Sequence, residues 1–261
     1  MTEFHFHNPT EIFFGRGAVN NLSAAAAGFE RVLFIYGGGS IKKNGIYNAV
    51  MGQLAGKQIT ELSGVMPNPR TEKVYEGIGL CREHQIDLVL AVGGGSVIDC
   101  AKFIAAGAVL PEGEDFWQTF FLGQKWITES LPVGVVSTMA ATGSEMDEGG
   151  VITNWEQKLK LSGNGNACYP KFSILDPEYT YTMPKKQMVY GCVDILSHIF
   201  EIYFSEPDAP NVSDYLAEGM IKAVMDNLAV ALEHPEDYTA RANLMWCSTM
   251  ALNGIIKCSK R

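Results

Sequence analysis

No stretch of this chain approaches 18 uninterrupted apolar residues, and its start, Met1 to Pro9, is polar and aromatic rather than basic and then apolar. A membrane-spanning helix needs about 20 apolar residues and a secretory leader needs a charged start before an apolar run. The expectation is therefore a cytoplasmic protein with no membrane partner. Positive charge is also short: 20 lysines and arginines stand against 29 aspartates and glutamates, a net charge of −9, and no basic run exceeds Lys42-Lys43 or Lys185-Lys186. Displacing counterions from nucleic-acid phosphates takes a cationic face, so no nucleic acid is expected as a partner. Cysteine is sparse and dispersed, with Cys81, Cys100, Cys168, Cys192, Cys247 and Cys258 forming no CxxC pair. That spacing suggests neither a disulfide framework nor a zinc ribbon, and the six read as small buried hydrophobes in a reducing compartment.

What is present is a chain of 261 residues, 47% of them apolar. This excludes disorder and allows one large domain or two moderate ones. The first two thirds alternate short β-branched runs with longer helical stretches, the pattern of a parallel sheet covered by helices. Val32 to Tyr36 is an apolar strand closed by Gly37-Gly38-Gly39-Ser40, and a helix is predicted from about Ile41 to Ala55. Ile59 to Leu62 forms a second strand, Pro67-Asn68-Pro69 a turn, and Thr71 is predicted to cap a helix running to about His84. Leu88 to Val92 enters Gly93-Gly94-Gly95-Ser96 and an apolar helix through about Ala108; Pro132 to Thr138 is another buried strand. After Phe172 to Pro177 strand signals vanish. Helices are predicted over about Lys185 to Phe204, Asn211 to Leu232 and Pro235 to Ile256, joined by the proline-bearing linkers 205–210 and 233–235. The fold class is α/β: a Rossmann-like parallel-sheet dinucleotide domain, residues 1–183, followed by an incomplete all-helical domain, residues 184–261.

Two glycine loops, Gly37 to Ser40 and Gly93 to Ser96, each lie between a buried strand and a helix, where backbone amides can hold phosphate oxygens. Two such loops point to a pyrophosphate or dinucleotide, although neither matches GxGxxG and each alone can be a tight turn without a ligand. Asp99 either faces that ligand or serves as an N-terminal helix charge. Between Glu30 and Glu61 the sequence holds no acid, offering Gly37, Gly38, Ser40, Lys42 and Lys43 instead. A carboxylate at that place would hold ribose hydroxyls and repel a 2′-phosphate; its absence favours NADP(H) over NAD(H). Asp194 and His198, four apart on a predicted helix, project about 40° apart from one face and suit two ligands on a divalent ion, Fe2+ or Zn2+, or else a plain surface pair. The other histidines offer little, with His5 and His7 in an amino-terminal strand region, His84 at a helix end and His234 in a turn.

The run Gly93 to Asp99, the run Thr138-Met139-Ala140-Ala141-Thr142-Gly143-Ser144-Glu145, and the spacing Asp176, Pro184, Gly191, Asp194, His198, Glu201 resemble the iron-dependent (group III) alcohol dehydrogenases, in particular the NADP-dependent aldehyde reductase and butanol dehydrogenase branch. The resemblance implies a nucleotide domain, a helical domain, a metal held by one aspartate and three histidines in the cleft between them, and a homodimer. The aspartate and first histidine fall on Asp194 and His198. Cofactor-contacting positions fall on Gly37, Gly38, Ser40, Gly94, Gly95, Ser96, Asp99, Thr138 and Thr142, as well as Lys160 and Tyr179. The family continues beyond residue 261 with its other two metal histidines. The expectation is thus a truncated chain with an uncovered apolar helix face, feeble metal binding and impaired turnover.

The implied chemistry is hydride transfer between NADP(H) and a primary alcohol or aldehyde, with the ion as Lewis acid. No side chain stands out as a general acid or base. Two other readings remain: a relative acting on polyols or phosphorylated substrates, against which the Asp176 to Glu201 spacing speaks, and a protein that binds NADP or a partner without turnover.

Overall fold

The computed structural model describes residues 3–205 and 211–258. Part of the linker 205–210 and the tail 259–261 lie outside the described residues. Six strands form one parallel sheet: β1 (Glu11–Phe14), β2 (Arg31–Tyr36), β3 (Gln58–Leu62), β4 (Leu88–Gly93), β5 (Val133–Ser137) and, after a separate two-stranded hairpin of β6 (Gly149–Asn154) and β7 (Leu159–Asn164), β8 (Phe172–Leu175). Their order is β1-β8-β5-β4-β2-β3. From β2 onward this is a doubly wound sheet whose connections reverse direction between β2 and β4. The α/β reading of the sequence holds.

The sheet is buried on both sides, which is why its central strands are apolar throughout. Leu33, Ile35, Val89 and Ala91 face α4 (Thr71–Glu83) and α5 (Gly95–Ala108), where they join Ile78, Phe103 and Ile104. Val32, Phe34, Leu88, Leu90 and Val92 face the other way, toward Leu22 of α1 (Leu22–Ala25) and Ile46 and Val50 of α3 (Ile46–Gln53). Helices α4 and α5 approach closely because Gly77 faces Ile104 and Gly107 faces Ile78, and a Cβ at either glycine would overlap those side chains.

Several local features differ from the sequence pattern. The helix predicted from Ile41 to Ala55 is two, α2 (Ser40–Lys43) and α3, broken where Gly45 takes φ +83°. Thr71 is the first residue of α4 and not its cap; its hydroxyl bonds Glu72 at 3.2 Å, and no side chain caps that end. Residues Trp117–Leu122 form a wide helical turn whose Trp117, Phe120 and Phe121 are buried beside Phe103. His5 and His7 precede β1 in irregular backbone. Five of the six cysteines are buried, all six are unpaired, and burial pushes the thiols of Cys81 and Cys168 up to about 12 and those of Cys192 and Cys247 up to about 11. No helix among the described residues is long and apolar enough to cross a membrane.

From Lys185 on the described elements are helical: α6 (Lys185–Tyr203), α7 (Val212–Glu233), α8 (Tyr238–Leu252) and a final short turn. Asn211 and Asp214 form a capping box at the start of α7, and Asp237 caps α8, which therefore begins at Tyr238 and not at Pro235. Ile195, Ile199, Met220, Val224, Leu244 and Ala251 make a third core. Helix α6 is seated on the loop after β5 through Gly191, whose missing Cβ leaves room for the Ala140 carbonyl oxygen. A methyl group there would meet backbone, which cannot rotate away. Gly191→Ala is expected to destabilise the fold by about 1–3 kcal/mol. Gly219→Ala, on an open face of α7 with nothing within 4 Å, is expected to stabilise it by roughly 0.5–1 kcal/mol. Urea unfolding of the two variants beside the parent checks both signs.

Candidate cofactor and metal site

Strands β2 and β4 pair in register from Val32 opposite Leu88 to Tyr36 opposite Val92, so the two glycine loops leave the sheet side by side at the point where the strand order reverses. Such a crevice beyond the carboxyl ends of the strands is where doubly wound folds take ligands. Gly37 packs against the Val65 carbonyl, Gly38 meets open space, and Gly39, at φ +93°, turns the chain into α2 at the exposed Ser40. In the second loop, Gly94 precedes α5 with extended backbone, and a Cβ there would crowd Met139. A Cβ on Gly95 would overlap the Thr142 side chain, which holds the next loop against the helix start.

Next to these loops lies a cavity of about 770 Å³. Gly95, Ser96, Asp99, Thr142, Lys160, Asp194 and His198 all line it, so seven of the positions singled out in the sequence converge. Gly37, Gly38, Ser40, Gly94, Thr138 and Tyr179 are not among its walls. Thr138 follows β5 and donates its amide to the Gly93 carbonyl at 3.1 Å. Tyr179 is half-buried in the turn after β8, where burial beside Asp176 and Glu178 pushes its phenol up to about 12. Lys160, on β7, donates to the Asn68 side chain at 2.8 Å and ties the hairpin to the Pro67–Pro69 turn.

The wall behind the cavity is polar and well satisfied. Asp99 accepts from Ser144 Oγ at 2.7 Å and from the Val151 amide at 2.9 Å. Desolvation pushes its carboxyl up to about 6 against the pull of Lys102. Lys102, one helical turn further on α5, is fully buried and donates to the Asp147 carboxylate at 2.6 Å, the Asp147 carbonyl at 3.0 Å and the Gly149 carbonyl at 2.8 Å. Three N–H groups meet three acceptors, the condition under which a buried ammonium is tolerated. Burial also raises the carboxyl of Glu145, which takes a hydrogen bond from the Thr249 hydroxyl at 2.5 Å and so links this wall to α8.

Asp194 and His198 stand as the helical spacing required, with His198 Nε2 3.7 Å from Asp194 Oδ2, and both face the cavity. The neighbouring Asp194 carboxylate raises the imidazole pKa above its ordinary value. Two donors bound to one tetrahedral ion at about 2.0–2.2 Å each stand roughly 3.3–3.6 Å apart, so this pair fits a shared divalent cation with a small adjustment. Among the described residues no group of three or more histidine, cysteine and acidic side chains is placed to hold a metal. His5 and His7, which the sequence left aside, nevertheless line the same cavity. The sequence reading also passed over Asn68, Lys102 and Asp147. The i, i+3 spacing of Asp99 and Lys102 on one helix was the one available signal for any of them.

The chain belongs to the iron-containing alcohol dehydrogenase family: residues 9–177 match that family and residues 188–259 match the carboxy-terminal part of the Fe-containing alcohol dehydrogenases. Among its relatives, the NADH-dependent butanol dehydrogenase A of Clostridium acetobutylicum is 46% identical over 100% of this chain and 67% of its own length. The NADPH-dependent aldehyde reductase YqhD of Escherichia coli is 42% identical over 98% of this chain and 66% of its own. The crystal structure of NADH-dependent butanol dehydrogenase A from Thermotoga maritima superposes with a TM-score of 0.96 at 46% identity, covering 100% of this chain and 66% of that one. This chain thus spans about two thirds of the length of these relatives.

Removing the ammonium from the cavity wall leaves the Asp147 carboxylate, half-buried with its side chain 15% exposed, without its cation. Lys102→Met is expected to cost about 3–5 kcal/mol of stability, with Lys102→Arg costing less because it keeps the charge; chemical denaturation at neutral pH measures both.

Proposed function

We propose that this chain binds a nicotinamide dinucleotide, NADP(H) in preference to NAD(H), across the paired glycine loops and presents it to a primary alcohol or aldehyde beside Asp194 and His198. The observation that supports this reading best is the continuity of one cavity from the start of α5, at Gly95 and Ser96, to the Asp194–His198 pair on α6. A nucleotide held at the switch point therefore reaches the place where a metal ion fits. In this reading residues 1–183 hold the nucleotide and residues 184–261 supply the metal donors.

The amides at the start of α5 take the pyrophosphate, for which the glycines leave room. Gly37, Gly38 and Ser40 approach the adenosine ribose; Thr138, Thr142, Lys160 and Tyr179 complete the contacts along the cofactor. Asp194 and His198 would hold a divalent ion, which would supply Lewis acidity to an alcohol or carbonyl oxygen, and a dinucleotide bound along the glycine loops would supply the hydride chemistry. The wall of Asp99 and Asp147, backed by the buried Lys102, fixes the cavity shape against which a substrate carbon would be aligned. Among the described residues these are the two donors brought to one point, fewer than the three or four of a tight site, so by themselves they would hold an ion loosely.

Fluorescence titration is expected to show tighter binding of NADPH than of NADH, and Ser40→Asp is expected to shift preference toward NADH by placing a carboxylate where a 2′-phosphate lies. Equal or reversed affinity in the parent removes the preference.

Asp99 adds a pH dependence. Its carboxyl, raised to about 6, is neutral below that pH and negative above it, so affinity for the anionic pyrophosphate is highest on the acid side and falls as pH rises through about 6. NAD+, which has no phosphate titrating in that range, is the ligand for calorimetry from pH 5 to 8, and Asp99→Asn should flatten the curve.

A further inference from the structure

An acid does stand near the first glycine loop, brought there by strand pairing and not by sequence proximity. Parallel pairing sets Glu61 of β3 opposite Phe34 of β2, on the sheet face that also carries Tyr36. Its carboxylate accepts from the Tyr36 hydroxyl at 2.8 Å and from the Tyr47 hydroxyl at 2.5 Å. The Lys42 ammonium lies 3.4 Å from the same carboxylate, 5.0 Å from the centre of the Tyr36 ring and 4.5 Å from that of Tyr47. Lys42 is tied to the loop by its own backbone, since its amide bonds the Gly39 carbonyl at 3.1 Å, and Tyr36 directly precedes Gly37.

We propose that Tyr36, Tyr47 and Glu61 form a cage holding the Lys42 ammonium beside the Gly37–Ser40 loop as the group that reads a 2′-phosphate, so that nucleotide selectivity is set by this cluster and not by the loop alone. The inference rests on the dinucleotide reading above.

A bare carboxylate at this strand end would bond ribose hydroxyls and repel a 2′-phosphate. Here both carboxylate oxygens are already engaged by tyrosine hydroxyls. Burial would raise the Glu61 carboxyl, but the bonds from Tyr47, Tyr36 and Lys42 outweigh it and hold the group below its ordinary value. It therefore stays an anion whose charge is balanced within the cage. The lysine is positioned without being used up. Its contact with Glu61 is long beside the 2.7–2.9 Å of a tight charge-assisted bond, its side chain is 47% exposed, and an ammonium has three N–H groups to give. The two rings limit where the flexible stem can go, so less freedom is lost when a phosphate arrives. A doubly charged 2′-phosphate draws the ammonium away from Glu61; an unphosphorylated ribose leaves the pair closed.

Fluorescence titration of the full chain with NADPH and with NADH tests this through the ratio of the two affinities. Lys42→Met is expected to weaken NADPH binding about tenfold and NADH binding less than about twofold, the retained NADH affinity showing that the variant is folded. Glu61→Gln is expected to move the ratio the opposite way by removing the competing negative charge, and Tyr47→Phe to lower it part of the way by loosening the cage. An unchanged ratio in Lys42→Met, or a shift of the same sign in Lys42→Met and Glu61→Gln, overturns the cage. A parent chain that binds neither nucleotide overturns the dinucleotide reading and the cage with it. A parent that binds both but favours NADH overturns only the stated preference, because the cage is judged on the change in ratio.

Discussion

The hydrogen-bonded pairing of β2 with β4 is the constraint from which the rest follows. Parallel strands in register must end together, so the two turns that follow them are neighbours wherever the intervening chain goes. Because β3 continues the sheet on one side and β5 on the other, the helices that leave those turns are sent to opposite faces, and a crevice opens between them. Small residues in the second turn are then a steric demand: side chains at Gly94 or Gly95 would run into Met139 or Thr142.

On that base the site is assembled by a few polar ties spanning long stretches of sequence. Lys102 holds residues 147–149, Asp99 holds Ser144 and Val151, and Glu145 reaches Thr249 on α8. The Asp194–His198 pair owes its place to a different device, the close approach of Gly191 to the Ala140 carbonyl, which lets α6 lie directly on the loop after β5. One side of the cavity is thus set by charge and the other by the absence of a methyl group.

This division explains what could be read from the sequence. Val32–Tyr36 and Leu88–Val92 were legible because a strand buried on both faces must be apolar along its whole length. Asp194 and His198 were legible because helical spacing is a local property. The β6–β7 hairpin escaped notice: much of Leu159–Asn164 is exposed and lacks a regular apolar alternation. The break at Gly45 escaped too, since a glycine tolerated inside a helix and one that ends it look alike in sequence. The acid-free stretch between Glu30 and Glu61 was read correctly as sequence and incompletely as space, because β2–β3 register restores a carboxylate to that neighbourhood from 25 residues beyond Tyr36. Partnerships made by strand register or by a buried lysine leave no periodic trace.

The burial of the cysteines bears on how such a protein tolerates reactive carbonyl compounds. Aldehydes and other electrophiles are attacked by thiolates, not by thiols. Cys81, Cys168, Cys192 and Cys247 sit beneath helices or strands with their pKa values at about 11 to 12, so at neutral pH the anionic fraction is about one part in ten thousand or less. These four thiols are thus both protonated and out of contact with such compounds, a protection not shared by Cys258, which is half-buried and lines the cavity.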